Sequence, residues 1–293
     1  MAEDVLSDAL EGLYGYTPIS HSSAGSQFCY SMSAEQLQLQ ASVPDGTSAP
    51  TISLITPATE PKNWPLHASS IWNSSLFLAD HIHELHLDHH ISLVHADGRE
   101  KLRVLELGAG AGLPSILISR CYNHVDVFVS DYPDDELIRS LRTNVETNGV
   151  SNKCRVIPHA WGEAWFAYVQ ESSDVPSEDK GQMDVILAAD TLWNSQTHQT
   201  LLSSLQMLLR KTEDARIYMV SGLHTGRHTL HAFILLAEDS GLEFEEVAER
   251  NLAEGIRREW KVDRDESEDF ERERRQWVVW MKIRWRQDIL GRR

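Results

Sequence analysis

A chain of 293 residues, 41% of them hydrophobic, is long enough for one large α/β domain with a buried core, whereas two full domains would be a tight fit. The formal net charge of −17 disfavours tight binding to nucleic acid, because phosphate contacts need a clustered positive surface. An acidic surface attracts a basic protein, although a requirement for solubility accounts for it as well. The longest apolar runs are strand-sized, and a bilayer needs about 20 residues, so no membrane span is expected.

Cysteine usage and the first residues bear on the cellular compartment. Cys29, Cys121 and Cys154 show no CxxC spacing, which predicts neither a disulfide framework nor a zinc knuckle. The N-terminus has acidic residues and lacks the basic flank and apolar run of a secretory signal. These features predict a cytoplasmic protein, with the nucleus as the alternative.

The N-terminal part of the chain differs in composition from the rest. Residues 20–62 are rich in Ser, Thr, Gln, Ala and Pro, a composition that buries too little apolar area to order itself unaided. We therefore expect a partly disordered N-terminal arm over residues 1–63, with a short edge strand at 53–55. The remaining residues, 64–293, are expected to form one domain.

Residues 67–90 carry apolar side chains at a spacing close to 3.6 residues, which predicts one amphipathic helix. Six histidines between positions 81 and 95 suggest a metal site, but the HELH sequence at 83–86 lacks the HExxH spacing. His86 and His90 also have no obvious third ligand. We expect a solvated helix face and no metal.

Short apolar runs alternate with helical stretches in the rest of the chain. Strands are expected at residues 101–107, 126–130, 154–158, 183–189, 215–221, 243–249 and 277–285. Helices are expected at residues 113–121, 134–148, 163–170, 195–211 and 227–240, a surface loop at 171–182, and a charged, partly helical excursion at 251–276. Strands joined by crossover helices run parallel, with helices on both faces. The sequence predicts an α/β fold with a doubly wound, mostly parallel seven-stranded sheet.

The sequence VLELGAGAG, residues 104–112, places an apolar strand directly before three alternate glycines and a helix. Gly108, Gly110 and Gly112 let the backbone turn sharply and let a ligand approach the main chain. Leu113 occupies the third glycine position of the GxGxxG dinucleotide loop, so the spacing matches instead the E/DxGxGxG pattern of enzymes that bind S-adenosylmethionine (SAM). In that pattern Glu106 lies near the amino-acid end of the cofactor. We expect SAM as cofactor; the alternative is a simple turn.

Asp131 stands 19 residues after Gly112, where the second strand ends and before the next helix begins. A carboxylate at this position accepts hydrogen bonds from ribose hydroxyls. The alternative is that Asp131 caps the helix, although Asp134 is available for that purpose. We predict that Asp131 and the adjacent Tyr132 contact the cofactor.

Five other positions complete the candidate site. Trp161, after the third strand, either stacks on the adenine or belongs to the core. Ala189 and Asp190 end the fourth strand, at the carboxyl edge where ligands bind in open α/β sheets. We predict that Ala189 contacts the cofactor and that Asp190 and Asn194 face an acceptor amine, with helix capping as the alternative for Asn194. Trp72 is expected to cover the cofactor.

Several segments together resemble a known family. They are LFLA at 76–79, ELGAGAGLPS at 106–115, SDYPDDELI at 130–138 followed by Asn144, AWG at 160–162, and DTLWNSQTH at 190–198. They are similar to the fungal, nicotinamide N-methyltransferase-like branch of the seven-β-strand methyltransferases. That branch includes the enzyme that methylates the N-terminus and adjacent lysine of translation elongation factor 1-alpha. The similarity covers roughly residues 64–285, and Trp193 stands where the branch usually has Phe or Tyr.

The resemblance implies a SAM-dependent N-methyltransferase that acts on an amine of a basic protein. The alternatives are a small-molecule acceptor, such as a pyridine or another amine, and a methyltransferase-like binding subunit without turnover. The intact acidic and glycine positions, from Glu106 to Asp131, disfavour the last of these.

Overall fold

The computed structural model describes residues 18–33, 36, 38, 49–58, 66–164, 181–265 and 270–291. The predicted helix at 163–170 and the predicted loop at 171–182 lie mostly outside these residues.

The N-terminal segments form two small antiparallel sheets. Strand β1 pairs with β4 and β2 pairs with β3, with bounds β1 Ser20–His21, β2 Gln27–Ser31, β3 Thr51–Ile55 and β4 Ile71–Trp72. The predicted strand at 53–55 is therefore found within β3. Tyr30, Ile52 and Leu54 are buried against the main core. These strands thus extend the apolar core beyond the central sheet.

The prediction of one helix over residues 67–90 is wrong. The chain forms α1 (Asn73–Asp80), a 3₁₀ turn (Ile82–Leu85) and α2 (Leu87–Ala96). His86 separates the turn from α2 with a left-handed φ of +50°. The apolar spacing continues across both breaks because all three elements bury side chains in the same core. The periodicity thus identified the buried face correctly but not the continuity of the helix.

The central sheet confirms the predicted doubly wound, mostly parallel α/β fold. In the described residues its strand order is β11-β10-β12-β9-β8-β5-β6-β7. Strands β5 to β9 run parallel, and β12, β10 and β11 continue the sheet antiparallel. The bounds are β5 Leu102–Leu107, β6 Val125–Asp131, β7 Cys154–Pro158, β8 Val185–Ala189, β9 Arg216–Gly222, β10 Leu242–Asn251, β11 Arg257–Glu259 and β12 Trp277–Trp285. The seven predicted strands are all present, and β11 is an eighth, too short for periodicity to reveal.

Helices cover both faces of this sheet. Their bounds are α3 Leu113–Cys121, α4 Asp135–Thr147, α5 His198–Leu208, α6 Arg227–Asp239, α7 Glu271–Arg274 and α8 Gln287–Leu290, with 3₁₀ turns at Ser195–Thr197 and Leu223–Thr225. Val104 packs in the apolar cluster that holds α1 to α4, and its neighbour Leu105 packs in the cluster that holds α5 and α6. Alternate side chains of a strand point to opposite faces, so β5 separates two helical layers.

Helix length also bears on the expected absence of a membrane span. Among the described helices, none combines the length and the apolar character needed to cross a bilayer.

Candidate active site

A cleft of about 750 Å³ opens at the carboxyl ends of β5, β6 and β8. The strand order reverses on either side of β5, and such a switch point is where open α/β sheets bind ligands. Ten of the eleven predicted site residues line the cleft: Trp72, Glu106, Gly108, Gly110, Asp131, Tyr132, Trp161, Ala189, Asp190 and Asn194. The eleventh, Gly112, does not line it.

The glycine turn after β5 requires glycine for two different reasons. Gly108, Gly110 and Gly112 all have left-handed φ angles, of +66°, +54° and +82°. A Cβ on Gly108 would lie 2.9 Å from Thr191 Cγ2, in the wall of the cleft. A Cβ on Gly112 would instead lie 2.6 Å from Leu141 Cδ1. Gly108 therefore keeps the cleft open, whereas Gly112 lets the start of α3 pack against α4.

Asp131 holds the glycine turn against the end of β6. Its Oδ2 accepts a hydrogen bond from the Gly110 N–H at 2.6 Å, and its Oδ1 accepts one from the Tyr132 N–H at 2.7 Å. Burial raises the pKa of this carboxyl to about 6, although both backbone hydrogen bonds act to lower it. Asp134 is the residue that caps α4, through the N–H groups of residues 136 and 137. Helix capping by Asp131 is thereby ruled out.

Glu106 is the second buried carboxyl in the cleft. Its Oε2 accepts hydrogen bonds from the backbone N–H of Ser115 at 3.0 Å and from its hydroxyl at 2.5 Å. Burial raises the pKa of Glu106 to about 7; the bonds from Ser115 lower it, and the charge of Asp131 raises it. Two carboxyls whose ionisation is hindered by burial lie at the same end of the cleft. A cationic ligand placed there would favour their charged forms.

The cleft also fits the other chemistry of the expected cofactor. Trp161 lines the cleft and packs on the apolar cluster beneath it, so both sequence interpretations of this residue describe part of its surroundings. The buried hydroxyl of Thr191 has no hydrogen-bond partner within the described residues. The cleft thus suits a nucleoside with a cationic end. It offers a flat aromatic wall, an unsatisfied hydroxyl, a turn that a Cβ would fill and two carboxyls.

Asp190, at the end of β8, adopts an unusual backbone conformation. Its φ is +55°, a left-handed angle that costs a non-glycine residue free energy. Strand β9 holds it there, because the Asp190 N–H donates to Val220 O at 2.8 Å and Asp190 Oδ1 accepts from the Gly222 N–H at 3.1 Å. The carboxylate is thereby presented at the cleft.

Asn194 has a structural function that the sequence allowed as an alternative. Its Oδ1 accepts a hydrogen bond from the Gln196 N–H at 3.0 Å, which caps the 3₁₀ turn Ser195–Thr197. The residue also lines the cleft, so its predicted contact with the acceptor amine stays a prediction.

Four rings, which we call the aromatic row, follow one another along the cleft wall. Trp193 contacts His67 at 4.7 Å between ring centroids, His67 contacts Trp72 at 6.1 Å, and Trp72 stacks on His224 at 5.3 Å and 18°. Trp72 Nε1 also donates to His67 O at 2.7 Å. Sequence reasoning missed His67 and His224 as site residues. The row joins three distant segments, so no local pattern reveals it.

Comparison with known proteins agrees with this geometry. The family model described as lysine methyltransferase matches residues 62–235, more than half of the chain. Three similar proteins are each named protein N-terminal and lysine N-methyltransferase EFM7. The one from Gibberella zeae is 27% identical over 198 residues, covering 64% of this chain and 71% of its own. The one from Schizosaccharomyces pombe is 29% identical over 188 residues, covering 63% and 68%. The one from Aspergillus fumigatus is 30% identical over 203 residues, covering 65% and 72%.

The matched range contains both buried carboxyls, the glycine turn and Asp190. The chain belongs to the lysine methyltransferase family, and it is an enzyme whose methyl donor is S-adenosyl-L-methionine.

Proposed function

We propose that this enzyme methylates an amine on a protein, either an N-terminal α-amine or a lysine side chain, in a substrate similar to elongation factor 1-alpha. The observation that carries the proposal is the position of Asp190 beside the aromatic row. A carboxylate pairs with an ammonium group, and aromatic faces attract cations, by about 0.5 to 2 kcal/mol for each contact. The names of the relatives, which refer to protein N-termini and lysines, support the same acceptor class.

We assign cofactor binding to the part of the cleft formed by the glycine turn and the end of β6. Glu106 and Asp131 supply the carboxylates, with Asp131 on the ribose, and Gly108 and Gly110 give the backbone close access. The further cofactor contacts proposed are Trp72, which also belongs to the aromatic row, Tyr132, Trp161 and Ala189. We assign this activity to residues 64–293 and treat residues 1–63 as an arm.

The donor supplies an electrophilic methyl group, so the residues of the chain need to align the acceptor and keep water out. The acceptor nitrogen attacks only when neutral. An α-amine, with a pKa of about 7.7 to 8.0, loses its proton more easily than lysine, with a pKa of about 10.4. Asp190, together with Asn194, is proposed to orient the amine.

The charge of the chain supports a basic protein as the partner. A net charge of −17 attracts a cationic substrate surface and repels nucleic acid. The free cysteines Cys29, Cys121 and Cys154 suit the reducing cytoplasm or nucleus, where such a partner would be met.

A small flat amine, such as a pyridine, is the second candidate acceptor. The aromatic row favours it, because ring faces stack on heteroaromatic rings as readily as they bind cations.

A labelling experiment separates the two acceptors. The enzyme and labelled SAM are added to a fungal lysate that lacks this methyltransferase, and the label is followed into protein bands and small solutes. We expect a labelled protein band. In parallel, a peptide from the N-terminus of elongation factor 1-alpha is tested with a free or acetylated α-amine and with its lysine replaced by arginine. Label confined to small solutes, with no methylated peptide, would contradict the proposal.

A further inference from the structure

His224 lies in the 3₁₀ turn that directly follows β9, in a space left by a glycine. Gly222 has a φ of −67°, which any residue adopts, so its backbone does not require glycine. A Cβ on Gly222 would lie 2.4 Å from His224 Nδ1 and 2.8 Å from His224 Cε1. The absence of a side chain at Gly222 is instead required by the imidazole ring of His224, which folds back over the end of β9 into the space that a Cβ would fill.

The same glycine brings the imidazole close to Asp190. The Gly222 N–H donates to Asp190 Oδ1, and the Cβ position on Gly222 lies 3.6 Å from that oxygen. The imidazole of His224 and the carboxylate of Asp190 therefore both lie next to Gly222, at the carboxyl ends of the neighbouring strands β8 and β9. Both side chains line the cleft.

The plane of the His224 ring is set by Trp72, which stacks on it at an interplanar angle of 18°. Within the described residues, no hydrogen bond or ion pair engages the imidazole. His198 differs in this respect, because it is buried and its Nε2 lies 3.1 Å from the carbonyl of Leu192. His224 is thus held in the cleft by packing, with its ring nitrogens left for a ligand.

We propose that His224 is a catalytic residue that removes the proton from the acceptor ammonium; this inference rests on the proposed function. The ammonium N–H bond breaks and its proton passes to an imidazole nitrogen, which leaves a neutral amine. The amine lone pair then forms a bond to the methyl carbon, and the carbon–sulfur bond breaks with its electron pair remaining on sulfur. The imidazolium returns its proton to water. Asp190 stabilises the positive charge, first on the ammonium and then on the imidazolium.

Three variants test this inference. His224→Asn keeps a similar size but cannot act as a base, so kcat should fall by about 100-fold or more while the Kd for SAM changes less than about twofold. His228→Asn is the matched control, because that histidine lies four residues later with a side chain 83% exposed, and its kcat should stay at the wild-type value. Gly222→Ala leaves His224 in the chain but displaces its ring, and should lower kcat in the same direction.

Chemical rescue distinguishes proton transfer from a structural effect. For His224→Ala, added imidazole should restore kcat by about tenfold, a readout that a purely structural side chain would not give. The inference is overturned if His224→Asn keeps kcat within about threefold of wild type, or if SAM affinity falls in parallel with kcat. All rates are measured with the acceptor class that the wild-type enzyme labels. Label in small solutes alone would therefore reject the protein substrate and still allow His224 to be tested.

Discussion

The side chain of Asn144 on α4 pairs with the backbone of Ile55 on β3 as a neighbouring strand would. Its Oδ1 accepts from the Ile55 N–H at 2.8 Å and its Nδ2 donates to Ile55 O at 3.0 Å. Asn148, one helical turn later, makes the same two bonds to Ser53. Four helical residues span about 6 Å and two strand residues about 6.6 Å, so the two amides match the strand edge. Asn144 Nδ2 also donates to Ala111 O at 3.0 Å, which ties β3 to the glycine turn.

We expect Asn144→Ala to lower the free energy of unfolding by roughly 2 to 4 kcal/mol, because it leaves the buried carbonyl of Ala111 and two half-buried backbone groups of Ile55 unpaired. Asn148→Ala is the matched control and should cost less than about 1 kcal/mol, because water can reach the exposed backbone of Ser53. Urea unfolding of both variants measures the difference. Equal losses would show that burial at Asn144 has no special importance.

Asp131→Asn should weaken SAM binding by roughly 10- to 100-fold, because charged hydrogen bonds contribute about 1.5 to 3 kcal/mol. Asp134→Asn is the control on the same connection: asparagine also caps helices well, so neither stability nor SAM affinity should change much. Calorimetry with SAM and with its demethylated product measures both affinities. Normal affinity in Asp131→Asn would refute the ribose assignment.

SAM affinity should rise with pH between about 5.5 and 8. Burial raises the pKa of Glu106 to about 7 and that of Asp131 to about 6, so at pH 5.5 both carboxyls of the free enzyme are largely protonated. A cationic ligand binds the charged forms, so binding at low pH must expel protons. The Kd should be about tenfold or more lower at pH 8 than at pH 5.5. Calorimetry in buffers of different ionisation enthalpy counts the released protons, and Glu106→Gln should flatten the dependence.

The raised pKa of Glu106 also makes the stability of the free enzyme depend on pH. As the pH rises, stability should fall, whereas SAM affinity should rise. Between about pH 4.5 and 7, folded Glu106 keeps a proton that the unfolded chain has lost. Its contribution to stability is therefore full below about pH 4.5 and is lost as the pH rises through 7. In Glu106→Gln, the decrease in the free energy of unfolding over this range should be smaller than in wild type. An unchanged pH profile would contradict the raised pKa.

Asp190→Asn should abolish most turnover and leave SAM binding unchanged. Asparagine tolerates the left-handed φ of +55°, so the variant should fold normally. Loss of the carboxylate should lower kcat by about 100-fold, with the Kd for SAM within about twofold of wild type. Single-turnover kinetics tests the loss of turnover, and calorimetry tests the unchanged affinity for SAM. Retained kcat would show that Asp190 does not take part in the reaction.

Two variants separate the cap from the chemistry at Asn194. Asn194→Ser keeps a good N-cap, whereas Asn194→Ala removes it at a cost of about 1 kcal/mol. If the amide orients the acceptor, both variants should lose activity and only the alanine variant should lose stability. Thermal unfolding and kcat are measured on each. Full activity in Asn194→Ser would leave capping as the sole function.

Much of this protein was readable from its sequence, because the relevant signals are local. Strand and helix periodicities repeat within a few residues, so the doubly wound sheet and its seven main strands followed directly. Glycine at left-handed positions, followed by an acidic residue at the end of the next strand, located the cofactor end of the cleft. The sequence alone also indicated Asp190, because strand ends in such sheets meet at one edge.

Tertiary structure decided what depends on distant segments meeting. The break at His86 is invisible to periodicity, because the helices on both sides bury their apolar faces in one core. Gly112 looks like a ligand-binding glycine, yet its contact with Leu141 assigns it to packing. The stacking of His224 on Trp72 joins residues far apart in the chain, and only the folded sheet brings them together. Secondary structure follows from the preferences of neighbouring residues, so it can be predicted from short stretches of sequence. A functional site depends on side chains that only the complete fold brings close together.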